Sequence, residues 1–141
     1  KYPLPHTKLS GNSLDVSFSG LKTAALNLIH TSEQRGETLD IPSLCASFSK
    51  AVSEMLVPRV AAALEETGYH KLAIAGGVAA NSRIRRDFEQ LCRSRGAALY
   101  APPLSLCGDN GAMIGSQGYY EYLAGHLAGQ ELNAFATMSI E

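Results

Sequence analysis

The run Leu72-Ala73-Ile74-Ala75-Gly76-Gly77 constrains this chain more than any other stretch. Four apolar residues without polar alternation read as a short central strand, covered on both faces. The two glycines that follow at once remove the side chains that would keep a ligand off the backbone. Ile84, Phe88, Leu91 and Cys92 then share one helical face, from a start near Ala80 or Asn81 to a stop at Gly96. A strand, a glycine turn and an amphipathic helix in that order require a sheet with helices packed on it, so the expected class is α/β.

The flanking segments extend this pattern. Residues 1–13 mix Pro, Gly, Ser and Asn and read as an entry loop. Leu14, Val16 and Phe18 alternate with polar residues, which predicts a strand ending at Ser19. Ser19 is then the expected cap of a helix over 20–32 that buries Leu21, Ala24, Ala25, Leu28 and Ile29. Asp40 followed by Pro42 marks a second helix start. Its stripe of Leu44, Phe48, Val52, Met55, Val60 and Leu64 is interrupted by Pro58, where a bend is expected, and ends at Gly68. Ala97–Tyr100 predicts a second buried strand, stopped by Pro102-Pro103. A last helix from about Asp109 is expected to carry Ala112, Ser116, Tyr119, Tyr120 and Leu123 inward. The expected order is β-α-α-β-α-β-α over residues 1–128, with a tail, 129–141, that carries no motif.

Composition narrows the class of function. The chain has 141 residues, 45% of them hydrophobic and 18% charged, enough for one domain with a real core and unlike a disordered or coiled-coil sequence. A formal charge of −1 excludes a generally basic nucleic-acid binder, so any RNA contact must be local. Cys45, Cys92 and Cys107 are odd in number and widely spaced, which excludes a disulfide framework or a CxxC zinc site and fits a reducing cytoplasm. No apolar run approaches the roughly 20 residues of a membrane span. The start, Lys1-Tyr2-Pro3-Leu4-Pro5, is not a signal peptide and lacks an initiator methionine, so a piece of a longer protein is expected. His6, His30, His70 and His126 are scattered, with no HExxH, and no GxSxG is present.

Four stretches can carry chemistry. Gly76 and Gly77 open the backbone to a nucleotide, with the amides of the following helix start and the Asn81 carboxamide beside it; a plain tight turn with Asn81 as cap accounts for the same residues. Asp109 stands at the beginning of a helix rich in glycine, with Gly108, Gly111, Gly115 and Gly118. Glycine costs about 1 kcal/mol against alanine at each interior helix position, so a closely packed backbone or a ligand should repay it. Asp109 is either a ligand-side carboxylate or an ordinary N-cap. Ser19, Gly20 and Lys22 form a short polar start that suits a phosphate but is not a complete phosphate loop. Arg83, Arg85, Arg86, Arg93 and Arg95 crowd one helix, as a phosphate-binding patch or a solvated face.

As a set, these motifs resemble one family. The series Tyr2-Pro3-Leu4-Pro5, Phe18-Ser19-Gly20-Leu21-Lys22-Thr23, Gly76-Gly77-Val78-Ala79-Ala80-Asn81 and Cys107-Gly108-Asp109-Asn110-Gly111-Ala112-Met113-Ile114 looks like the C-terminal half of the TsaD (Gcp) family, from residue 2 to about 125. These are tRNA threonylcarbamoyladenosine transferases, long labelled O-sialoglycoprotein endopeptidases. Gly108 stands where members commonly carry Thr.

The resemblance implies an actin-like ATPase fold, as in sugar kinases and Hsp70 chaperones, of which this chain would be most of the second lobe. It implies transfer of a threonylcarbamoyl group from threonylcarbamoyl-AMP to N6 of the adenosine beside the anticodon in tRNAs reading ANN codons. Gly76, Gly77 and Asn81 are then expected to hold the adenylate, with Ser19, Gly20 and Lys22 as further substrate-binding residues. Asp109 would ligate a divalent metal, iron or zinc, with two histidines of an HxxxH motif in the N-terminal half. Neither that motif nor the family's SGGHT-like segment occurs here. Implied partners are tRNA, the missing N-terminal half and the accessory subunits TsaB and TsaE, so the fragment alone should be inactive. Asn81 and Asp109 must serve one cleft shaped for AMP. The alternatives are a nucleotide-binding scaffold or dimerisation subunit of the same fold, which has no use for a metal ligand, and a metallo-glycopeptidase, which lacks a nucleophile or zinc helix here.

Overall fold

A computed structural model of the chain describes residues 1–6 and 14–137. Most of the expected entry loop, 7–13, and the end of the tail, 138–141, lie outside the described residues. The chain divides into two compact units, Lys1–Cys107 and Gly108–Glu141.

The first unit is α/β. It contains α1 (Ser19–Gln34), α2 (Ile41–Thr67), β1 (Lys71–Ala73), a short 3-10 helix (Gly77–Ala80), α3 (Ser82–Arg95), β2 (Ala98–Tyr100) and a second 3-10 turn (Leu104–Leu106). β1 and β2 pair in parallel, with Lys71 opposite Ala98, Leu72 opposite Leu99 and Ala73 opposite Tyr100. Parallel neighbours cannot be joined by a hairpin, and α3 makes the crossover. The two strands were expected to be covered on both faces. Instead their central residues are half-buried and their outer residues exposed, because among the described residues only two strands make up the sheet.

Helix limits follow local chemistry. Asp40 caps α2 by accepting hydrogen bonds from the Ser43 amide (3.2 Å) and the Ser43 hydroxyl (2.6 Å), with Pro42 in the first turn. The Ser43 hydroxyl, then Lys1, then the Ser43 amide stabilise the ionised carboxyl and hold its pKa at about 2. Gly68 and Gly96 close α2 and α3 in the left-handed conformation, φ +68° and +63°, which suits glycine. α2 runs unbroken through Pro58.

Two expectations fail around α1. Residues 14–18 form no strand. Val16 packs against the core, but Leu14 and Phe18 are exposed, and among the described residues no strand lies beside the segment to bond with it. The alternation marked one buried residue, not a ladder. The β-α-α-β-α-β-α order therefore loses its first strand. Ser19 is also not the cap: Phe18 occupies that position without a side-chain bond, and Ser19 is already helical. The α1 face is as expected, with Leu21 fully buried and Ala24, Ala25, Leu28 and Ile29 half-buried.

The core joins Leu21 of α1 to Ala51 and Met55 of α2, with Leu4, Val16, Phe48 and Val52 around them. α3, packed against α2, buries Ile84, Phe88 and Cys92. Burial raises the Cys92 thiol pKa, as suits an inert core thiol. A polar tie crosses this contact: the buried Ser53 hydroxyl donates to Asp87 at 2.6 Å, and Arg83 Nε donates to the same oxygen at 2.6 Å. Desolvation alone would raise the Asp87 pKa, but the bonds from Ser53 and Arg83 outweigh it and the net shift is down. A depressed carboxylate stabilises the fold above its ordinary titration range and loses that contribution as the pH falls through its folded pKa. Ser53→Ala should therefore cost about 1–2 kcal/mol near neutral pH. Its gap from the unsubstituted protein should narrow in acid as Asp87 takes a proton, which thermal melts across a pH series measure.

The second unit is built on α4 (Gly111–Leu123). α4 buries none of its side chains, so the expected inward face of Ala112, Ser116, Tyr119, Tyr120 and Leu123 is not found. A methyl group added at Gly108, Gly111, Gly115 or Gly118 would meet nothing within 4 Å. Among the described residues no close backbone repays the glycines. The apolar spacing required a partner surface, and the described residues supply none to this helix.

Candidate functional site

The first unit holds a groove of about 890 Å³, a size typical of small-molecule sites. Each wall comes from an element already fixed by its own local chemistry. Phe18 and Lys22 enter from the start of α1, Phe48, Ser49, Val52 and Leu56 from α2, and Ala73–Ala75 from β1 and its end. Gly77–Ala79 belong to the turn, while Asn81, Ile84 and Phe88 belong to the start and first turns of α3. Its lining is apolar apart from Lys22, Ser49, Asn81 and exposed backbone. An apolar trough with few polar groups suits a flat ring bearing a polar tail.

Of the sequence-derived candidates, this groove gathers Lys22, Gly77 and Asn81. Ser19 and Gly20 lie exposed in the first turn of α1 and do not line it. Gly76 sets the turn instead. Its φ of +83° and ψ of 168° belong to a region open essentially to glycine, and its carbonyl accepts the Ala79 amide at 2.9 Å. Gly77 has no positive φ and open space around it. The two glycines should therefore separate. Gly76→Ala is expected to cost about 1–3 kcal/mol of stability. Gly77→Ala should leave the melting temperature unchanged and weaken only what binds in the groove, as paired thermal melts and nucleotide titrations would read.

Asn81 caps α3. Its Oδ1 accepts from the Arg83 amide (3.0 Å) and the Ile84 amide (3.2 Å), and its Nδ2 donates to Ser49 Oγ at 3.5 Å. The turn-and-cap reading of this residue is thus realised. The oxygen is committed to the helix, and the amide nitrogen, with two hydrogens, is the group left to face a ligand.

Asp109 behaves in the opposite way. The residue that caps α4 is Asn110, whose Oδ1 accepts from the Met113 amide at 3.1 Å and whose Nδ2 donates to the Gly108 carbonyl at 2.9 Å. Asp109 is exposed and its carboxylate holds no hydrogen bond or ion pair among the described residues. Asp109 is therefore not the cap of α4. Sequence reasoning missed it because aspartate and asparagine are both good caps and stand side by side. Among the described residues no group of three or more His, Cys, Asp or Glu could hold a metal, and a single carboxylate such as Asp109 does not make a metal centre by itself.

The arginine-rich helix is mostly paired within the protein. Arg83 and Arg86 lie on Asp87 (2.6 and 3.6 Å), Arg95 lies on Glu65 (3.2 Å), and Arg85 turns onto backbone carbonyls. Arg83 and Asp87 pair within α3 at i,i+4 spacing, whereas Glu65, Ala79 and Pro102 come from other segments that the spacing of the arginines does not reveal. Arg83 and Arg86 also border a second concavity of about 590 Å³ that shares Ser49 and Asn81 with the main groove. No helix among the described residues is long and apolar enough to cross a membrane.

A family model described as tRNA N6-adenosine threonylcarbamoyltransferase, TsaD, matches residues 1–116. The chain is similar to proteins of that name from Desulfitobacterium hafniense strain Y51, 41% identical over 139 residues, and Staphylococcus saprophyticus, 41% over 140, each alignment covering 99% of this chain and 41% of the relative. A third, from Moorella thermoacetica, is 41% identical over 138 residues, covering 98% of this chain and 40% of the relative. The chain thus spans about 41% of the length of the curated relatives it matches. With its α/β first unit, its strand and glycine turn and its uncommitted aspartate, the chain belongs to the TsaD family.

Proposed function

We propose that the complete protein transfers the threonylcarbamoyl group of threonylcarbamoyl-AMP to N6 of the adenosine beside the anticodon of ANN-reading tRNAs, and that this chain is most of the second lobe of its actin-like fold. The observation that carries this reading is the convergence of Lys22 with Gly77 and Asn81, more than 50 residues further along the chain, on one groove of nucleotide size. Phe48, Val52, Ile84 and Phe88 offer apolar walls for the adenine ring, and the bare Gly77 backbone admits the ribose. Asn81 Nδ2 donates to an oxygen of the adenylate. The Lys22 ammonium, which has no ion-pair partner among the described residues, balances phosphate charge.

In the reaction the adenosine N6 attacks the carbamoyl carbon, the bond from that carbon to the phosphate oxygen breaks, N6 gives up a proton and AMP leaves. Asp109, with ligands outside this chain, would hold a divalent metal, which would supply Lewis-acid polarisation to the transfer. This chain's own contribution is to bind and orient the adenylate, so that little motion separates bound substrate from the point of attack. The arginines beside the second concavity offer a local positive surface to the tRNA backbone, as a chain of net charge −1 requires. TsaB and TsaE are the accessory partners of this reading. Incubation of the complete protein with its accessory subunits, threonylcarbamoyl-AMP and unmodified tRNA should yield threonylcarbamoyladenosine by mass spectrometry of digested tRNA. No product from an intact, metal-loaded preparation would refute it.

A further inference from the structure

Arg85 stands apart from its neighbours on α3. Arg83, Arg86 and Arg95 face carboxylates, whereas the partners of the Arg85 guanidinium among the described residues are two carbonyls and a thiol. Its Nε donates to the Ala79 carbonyl, at the end of the glycine turn. Its Nη2 donates to the Pro102 carbonyl at 2.6 Å and lies 3.0 Å from Cys107 Sγ. Ala79 and Cys107 are both buried, and Cys107 Sγ also approaches the Pro103 carbonyl at 3.5 Å. One planar fork therefore ties the turn that lines the groove to the loop 102–107, from whose end the chain runs on through Gly108 to Asp109. A lysine has the charge but not the fork and cannot make these bonds together.

The geometry points to Arg85 as a positioning residue for the transfer reaction, locking the glycine turn and the loop that precedes Asp109 into one arrangement. It touches no substrate; it fixes the backbone of two segments that the reaction uses. Its kinetic consequence rests on the proposed transfer activity, while its structural consequence does not.

Both consequences can be read on the complete protein as Arg85→Lys and Arg85→Met. Native-state alkylation with iodoacetamide, resolved peptide by peptide, compares Cys107 with the exposed Cys45 as internal reference. In both variants Cys107 should be alkylated about tenfold faster or more relative to Cys45, since its protection depends on a closed loop. The kcat of transfer should fall about tenfold or more, with the KM for tRNA unchanged and no rescue by lysine, because small misplacements cost rate rather than binding. Should Arg85→Met not fold, Arg85→Lys carries the same readouts. Unchanged Cys107 protection in the folded variants overturns the inference, as does a loss confined to a raised KM for tRNA. If the unsubstituted protein transfers nothing, the proposed reaction falls, and the alkylation comparison still decides the role of Arg85.

Discussion

Asp109→Ala in the complete protein is expected to abolish transfer while leaving the fold intact. The carboxylate is exposed, holds no bond among the described residues and does not cap α4, a task done by Asn110. Its removal should change stability by no more than about 0.5 kcal/mol, as for a surface substitution away from any structural feature. Lewis-acid stabilisation by a metal is worth several kcal/mol, and each 1.36 kcal/mol is tenfold in rate, so the loss of kcat should exceed about 100-fold. Asp109→Asn should fail equally, since the amide keeps the shape but not the charge. Metal content by elemental analysis should fall in both variants. Full activity in either would remove Asp109 from the reaction. The neighbouring substitution Asn110→Ala makes the control: it should cost about 1 kcal/mol of stability through the lost cap and leave the metal in place.

Asn81 carries the second large effect, and two substitutions separate its duties. Asn81→Ala removes both the cap oxygen and the amide donor, so it should lose about 1 kcal/mol of stability as well as adenylate affinity. Asn81→Asp keeps an oxygen facing the Arg83 and Ile84 amides and adds a negative charge where the helix start favours one, so stability should hold or rise slightly. It also replaces the Nδ2 donor with an acceptor beside an anionic substrate. Loss of a hydrogen bond to a charged group costs about 1.5–3 kcal/mol, which is about 10- to 100-fold in affinity. Calorimetric titration with a non-hydrolysable adenylate, beside thermal melts, reads the two duties independently. Equal adenylate affinity for Asn81→Asp and the unsubstituted protein would leave Asn81 a cap and nothing more.

What could be read from the chain tracks how local each signal is. Asp40 with Pro42, Gly68, Gly96 and the strand, turn and helix around Gly76 and Gly77 were legible because caps, positive φ and helical spacing are set by a few neighbouring residues. The alternation over 14–18 does not make a strand because alternation reports burial, whereas a strand needs a partner to bond with, and Val16 meets the core with no such partner among the described residues. The inward face of α4 failed for the same reason: spacing implies a covering surface but cannot supply it. The arginine cluster was visible, but not the pairing of Arg95 with Glu65 or of Arg85 with the carbonyls of Ala79 and Pro102, which lie on other segments.

The sequence by itself determined the family, the α/β class, most helix limits and the identity of the residues worth testing, since motif wording and local conformational preference are written in contiguous residues. Only the tertiary structure decided which of those residues are spent on holding the chain together. It set the Asn81 amide nitrogen against Ser49, turned Arg85 onto the Pro102 carbonyl, joined Ser53 to Asp87 and drew Lys22 onto the groove that Gly77 and Asn81 line. The physical reason is that a polar side chain has a limited number of hydrogen-bonding positions. For the caps Asn81 and Asn110 the backbone partners are chain neighbours, whereas for Arg85, Ser53 and the Asn81 amide nitrogen the partners are groups that only folding brings near.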